Sequence, residues 1–199
     1  MSTQKSKSRR QQILESLASM LEASPGGKIT TAALAKNVGV SEAALYRHFP
    51  SKSKMFEGLI EFIEETIFSQ VSLIMSNESD PFERAEKIIY LILIFCERNP
   101  GITRILTGDA LAGETDRLRQ RVVQLFDRLE SQLKQVFRDA EIRDGMHFGL
   151  PISTMVTLLL SSAEGRIAQF VRSSFRKQPT QHWREQWPYL IHGLVKPSV

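Results

Sequence analysis

The sequence predicts an all-α protein, and three of its features carry that reading. Leu, Ile, Ala, Glu, Gln, Arg and Lys dominate the composition, a helix-forming vocabulary. Apolar residues recur at steps of three and four through most of the 199 residues, the period of a helix face. The 11 glycines and 8 prolines fall mostly between those periodic segments, where they punctuate helices instead of interrupting them.

The elements follow in order. Residues 1–8, MSTQKSKS, read as a disordered basic arm. A first helix spans about 9–23, with Ile13, Leu14, Leu17, Ala18, Met20 and Leu21 on its apolar side, and SPGGK stops it. Thr30 or Thr31 can cap a second helix that reaches about Val38, and Gly39 suits the position after a helix end where positive φ is required. Ser41 can cap a third, which ends before Pro50. Ser51 can start a fourth over about 52–76, because Met55, Phe56, Leu59, Ile60, Phe62, Ile63, Ile67, Val71 and Ile74 keep helical spacing over many turns. A fifth, about 81–97, is apolar nearly all round in its second half and is expected at the centre of the body. RNPGITRILTGDALAG gives a turn and a short sixth helix. Three more follow, over about 114–141, 152–175 and 180–195, the last built around Trp183, Trp187, Leu190 and Ile191. The expected domains are 9–51 and 52–199.

Charge is unevenly held. The formal net charge is +4, but residues 1–55 contain nine Lys/Arg against three Glu, a net +6, which leaves −2 for the remainder. A basic first quarter on a near-neutral body is the footprint of a protein that meets a polyanion at one end. The single Cys96 excludes an internal disulfide and lies in an apolar run, where a thiol behaves as a small buried hydrophobe. The first residues are polar and the longest apolar run, IIYLILIFC, covers half the length of a membrane span, so the expected location is the cytoplasm. TGDALAG lacks the lysine of a phosphate-binding loop, no Gly-x-Ser-x-Gly occurs, and His48, His147, His182 and His192 show no metal-ligand spacing. The expectation is a non-enzyme with no metal or cofactor.

The stretch VGVSEAALYRHFPSKSK concentrates the chemistry. Two short helices joined through Gly39, the second starting at Ser41, give a helix-turn-helix whose second member enters a DNA major groove. Ala43 and Ala44 keep the groove-facing side small, and Ser41 offers a donor to a phosphate while Leu45 packs inward. Tyr46, Arg47 and His48 can reach backbone oxygens or base edges, and Lys52, beside the positive end of the fourth helix, can reach another phosphate. Thr30 and Thr31 open the second helix on the same side. Arg9 and Arg10, with the lysines before them, can track phosphates or enter the minor groove. Tyr46 and His48 can equally pack the third helix against its neighbours.

The run ITTAALAKNVGVSEAALYRHFPSKSKMFEGLI, 29–60, resembles the DNA-binding domain of the TetR-type regulators, whose pattern is met at Gly39, Val40, Ser41, Leu45, Tyr46, His48, Phe49, Ser51 and Lys52. The resemblance implies three N-terminal helices for double-stranded DNA and a helical C-terminal body that forms a homodimer. Residues 41–65, FCERNPGITRILTGDAL at 95–111, DRLRQRVVQLFDRLESQLKQVFR and RIAQFVRSSFRKQPT are similar to a narrower branch of that family, the nucleoid occlusion factors. That likeness implies a nucleoid-associated protein that binds chromosomal palindromes and, while bound, captures the C-terminal tail of the division GTPase FtsZ, antagonising division-ring assembly.

The implied tail site lies between the fourth and fifth helices at Phe62, Leu91, Arg98 and Asn99; an arginine suits a carboxylate-ended tail, and an exposed Phe and Leu suit a partly apolar peptide. Core packing is the alternative for Phe62 and Leu91, and a helix end whose Arg98 and Asn99 merely satisfy carbonyls is the alternative for those two. The pattern departs at Gln70, where an arginine is expected, and at Ile94, where a glycine is. No obligatory small-molecule ligand is implied. The second reading is a ligand-responsive TetR-type repressor, for which Thr154, Thr157, Ser161 and Ser162 on the eighth helix are pocket candidates.

Overall fold

A computed structural model describes residues 8–24 and 27–192, and the described residues form nine α-helices. These are α1 (Arg9–Ala23), α2 (Thr31–Val38), α3 (Glu42–His48), α4 (Lys52–Asn77), α5 (Pro81–Arg98), α6 (Pro100–Leu106), α7 (Asp116–Asp144), α8 (Ile152–Arg172) and α9 (Trp183–His192), with a 3₁₀ turn at Asp109–Leu111. The expected arm over 1–7, the middle of SPGGK and the expected helical residues 193–195 lie outside the described residues. No helix among the described residues is long and apolar enough to cross a membrane.

The helix boundaries reflect local chemistry. Ser8, placed in the arm by the sequence reading, caps α1, its Oγ accepting the Gln11 N–H at 3.2 Å. Helix α8 stops at Arg172, short of the expected 175, because Ser174 and Phe175 take φ of +52° and +64°, and the Phe175 N–H returns to the Phe170 carbonyl at 2.8 Å. Helix α9 begins at Trp183 instead of 180, since His182 has φ +59° and cannot lie inside a right-handed helix.

The chain forms two compact units. The first comprises the described residues up to 63 together with 99–122, so α6 and the start of α7 join the N-terminal helices although the sequence assigns them to the body. Its core is built from Ile13, Leu17, Leu21, Leu34, Leu45, Phe49, Met55, Phe56, Ile105, Leu111 and Leu118, all buried. Helix α6 presses onto α1 at Gly101, where a Cβ would stand 2.0 Å from the Ala18 carbonyl oxygen and 2.8 Å from the Glu22 nitrogen. Only glycine permits backbones to come that close. One turn later Arg104, 1% exposed, donates through Nη1 to the carbonyls of Leu21 (2.7 Å) and Ser24 (2.8 Å) and pairs through Nε with Asp109.

Among the described residues, the second unit comprises 64–98 and 123–192. Helix α5 is central, as its composition predicts: Ile88, Ile89, Ile92, Leu93 and Cys96 are buried, and it packs on α8, where Met155, Leu159, Ala163 and Ile167 are buried. Phe82, Phe137 and Phe148 form an aromatic cluster with Phe137 and Phe148 edge to face at 5.4 Å, the arrangement that aligns ring edge with ring face. Thr154, Thr157 and Ser161 point outward from this core, so they do not line its interior.

Candidate nucleic-acid interface

The helix-turn-helix forms from its own capping residues. Thr30 Oγ1 accepts the Ala33 N–H at 3.2 Å and starts α2. Gly39 ends it at φ +74°, with the Val40 N–H returning to the Ala35 carbonyl at 3.0 Å, a left-handed turn that a side chain would strain. Ser41 Oγ accepts the Ala44 N–H at 3.2 Å and starts α3. Leu45 at 0% exposure and Phe49 at 2% anchor α3 into the first unit, and this fixes which residues face outward.

Ser41, Ala43, Tyr46, Arg47 and His48 are exposed, as is Thr30, while Ala44 and Thr31 are half-buried. Tyr46 is therefore not a core side chain. Its hydroxyl lies 3.4 Å from Thr31 Oγ1, which donates at 2.9 Å to the Glu42 carboxylate. This chain of contacts locks the two helices together and points the Tyr46 ring along the exposed edge. Sequence reasoning missed Glu42, whose signal is an acid in the first turn of the reading helix, where it complements the helix dipole. Arg47 holds no ion pair among the described residues, so its guanidinium is available to a phosphate or a guanine edge.

The remaining cations are differently placed. Arg9 donates to Gln12 at 2.8 Å and is exposed. Arg10 stacks over the Phe49 ring at 4.9 Å and lies 3.5 Å from Glu61. Lys52, half-buried, is 2.7 Å from the carboxylate of Glu114 and 5.5 Å from the centre of the Phe56 ring. Lys54 pairs with Glu57 at 2.6 Å, and Arg117 approaches the other Glu57 oxygen at 3.7 Å. Arg121 reaches Glu61 at 3.5 Å, so the start of α7 is held to α4 by a row of ion pairs. None of these acids is close to its cation in sequence except Glu57, which is why the pairing was not legible there.

The expected partner residues divide between the units. Phe62 is 45% exposed on α4, which removes it from the core, and Asn99 is the residue that precedes α6; both belong to the first unit. Leu91, half-buried on α5, and Arg98, exposed at its end, belong to the second. Gln70 is exposed and Ile94 half-buried.

Comparison with known proteins bears on both units. Residues 13–59 match the model of the bacterial regulatory proteins of the tetR family, and residues 79–195 match a tetracyclin repressor-like C-terminal domain of SlmA-like type. The chain is 57% identical over 188 residues to a nucleoid occlusion factor SlmA of Shewanella oneidensis, covering 94% of this chain and 95% of that protein. It is 56% identical over the same length to the factor of that name from Shewanella halifaxensis, again with 94% and 95% covered. Among solved structures, the MbdR regulator of Azoarcus superposes with a TM-score of 0.78 at 15% identity, covering 95% of this chain and all of that one. The FadR regulator of Bacillus subtilis, solved with stearoyl-CoA, gives 0.73 at 12% identity over 92% and 97% of the two chains. At such identities these two likenesses concern the fold.

Proposed function

The chain belongs to the SlmA family of nucleoid occlusion factors, within the TetR-type regulators, and we propose that it does its work as a homodimer on palindromic DNA. Two copies of α3 enter successive major grooves about 34 Å apart. Tyr46, Arg47 and His48 face base edges and backbone, with Ala43 and Ala44 allowing close approach. Thr30, Thr31, Ser41, Arg9, Arg10 and Lys52 serve phosphates, which makes affinity fall steeply with salt. The single observation that carries this reading is the edge of α3: three consecutive polar side chains, all exposed, on a helix whose Leu45 and Phe49 are buried. The exposed Leu158 of α8 and Tyr189 of α9 suit a dimer built from those helices.

While on DNA, the protein captures the C-terminal tail of FtsZ through Phe62, Leu91, Arg98 and Asn99 and antagonises division-ring assembly over the nucleoid by binding alone, without catalysis. Its place is accordingly the cytoplasm, on the nucleoid. A labelled peptide copying that tail, titrated with and without a palindromic duplex, tests the reading. Saturable binding strengthened by DNA and lost in Arg98→Ala is expected. DNA affinity without any peptide binding leaves a TetR-type repressor instead. That second reading wants an apolar pocket with a few polar groups; a cleft of about 560 Å³ in the second unit is lined by Ser161, Ser162, Arg166, Lys177, Gln181 and His182 among other polar residues.

A further inference from the structure

We propose that Glu114 is an internal competitor for the DNA phosphate that Lys52 serves, and that it sets both the affinity for DNA and its salt dependence; this rests on the reading of Lys52 as a phosphate contact. Glu114 lies on no DNA-reading helix. It belongs to the short connector before α7, held on one side by Leu111 and on the other by Leu118, both 0% exposed. Gly113 turns the connector at φ +80°, and the Glu114 N–H donates to the Leu111 carbonyl at 3.1 Å. The backbone is thus fixed, and the carboxylate, its side chain 14% exposed, stands 2.7 Å from Lys52 Nζ.

Lys52 is the first residue of α4, where the helix dipole disfavours a cation and a neighbouring anion relieves it. Its side chain is 31% exposed, so the ammonium can turn to solvent while its stem stays against Phe56. One ammonium therefore faces two anions in alternation, Glu114 in the free protein and a phosphate on DNA. When Lys52 leaves, Glu114 is a poorly solvated carboxylate without its counter-charge, which works against DNA binding. Lys28 lines the same cleft of about 230 Å³ as Glu114, and a salt cation is the charge free to replace Lys52 there. Taking up a salt cation at Glu114 offsets the counterion released when Lys52 meets a phosphate.

The test uses the full chain and a palindromic duplex selected by the wild-type protein from a random pool, with binding followed by fluorescence anisotropy across a salt series. Glu114→Gln should bind about threefold to fivefold tighter, the worth of a partly exposed ion pair, with a salt slope steeper by up to about one. Glu114→Asp, with a shorter reach, should move the same way by less. In a Lys52→Ala background, Glu114→Gln should change nothing. If Lys52→Ala weakens binding but Glu114→Gln leaves it equal or weaker, the competition is refuted and Glu114 only holds Lys52 in place. If Lys52→Ala alters neither affinity nor slope, the phosphate role of Lys52 fails and the competition with it. Thermal melting of each variant separates these results from loss of fold.

Discussion

Arg104 donates a hydrogen bond of 2.7 Å from its guanidinium to the carbonyl oxygen of Leu21, 83 residues earlier in the chain. The bond ends α1: carbonyls in a last helical turn have no partner within the helix, and here a buried cation supplies one for Leu21 and another for Ser24. Asp109 balances the charge at the rim. Replacing Arg104 with Met keeps most of the volume but leaves the Leu21 carbonyl and the Asp109 carboxylate without this partner, while the Ser24 carbonyl keeps the Gly27 N–H at 3.0 Å. The expected loss is about 2–4 kcal/mol, a fall in Tm on the order of 10 °C, readable by calorimetry. Asp109→Asn, which leaves both carbonyl bonds intact, should cost far less.

Gly101→Ala should be more damaging than its size suggests. The added methyl would meet the backbone of Ala18 and Glu22, not a movable side chain. A loss of at least ~3 kcal/mol is expected, at the upper end of overpacking. Shortening Ala18 to Gly should not restore stability, because the oxygen in the way stays where it is. Denaturant melts of the single and double variants decide this.

On DNA, Arg47→Ala should weaken binding and reduce the salt slope by about one with Tm unchanged, since its side chain is exposed and holds no ion pair among the described residues. Thr30→Ala should lower both affinity and stability, the latter by about 1 kcal/mol for the lost helix cap. The contrast between the two, measured by anisotropy and melting, separates contact from scaffold.

Glu57 gives the pH dependence. The Lys54 hydrogen bond holds its carboxyl below the ordinary 4.5, with Arg117 and Arg121 adding to the effect and burial opposing it. A lowered acid contributes stability that is present above the unfolded value and is lost as pH falls through the folded one. Wild-type Tm should therefore drop as pH goes from 4.5 downward, and Glu57→Gln should flatten that limb while leaving the neutral side unchanged in slope. An identical acid limb in both proteins would count against it.

The nine helices and the reading turn were legible in the sequence because their signals are local. Thr30, Gly39 and Ser41 act on N–H and C=O groups within a few residues, and apolar spacing marks each buried face, so Leu45 could be assigned inward from the sequence alone. Tertiary structure decided which cations are engaged and by what. Arg10 meets Glu61 across 51 residues, and Lys52 meets Glu114 across 62; no spacing rule reaches so far. It also moved residues 99–122 into the first unit, because Gly101 and Arg104 act only against the backbone of α1. A glycine or an arginine has the same local preferences wherever it occurs, and what it does is set by the neighbour that packing brings to it.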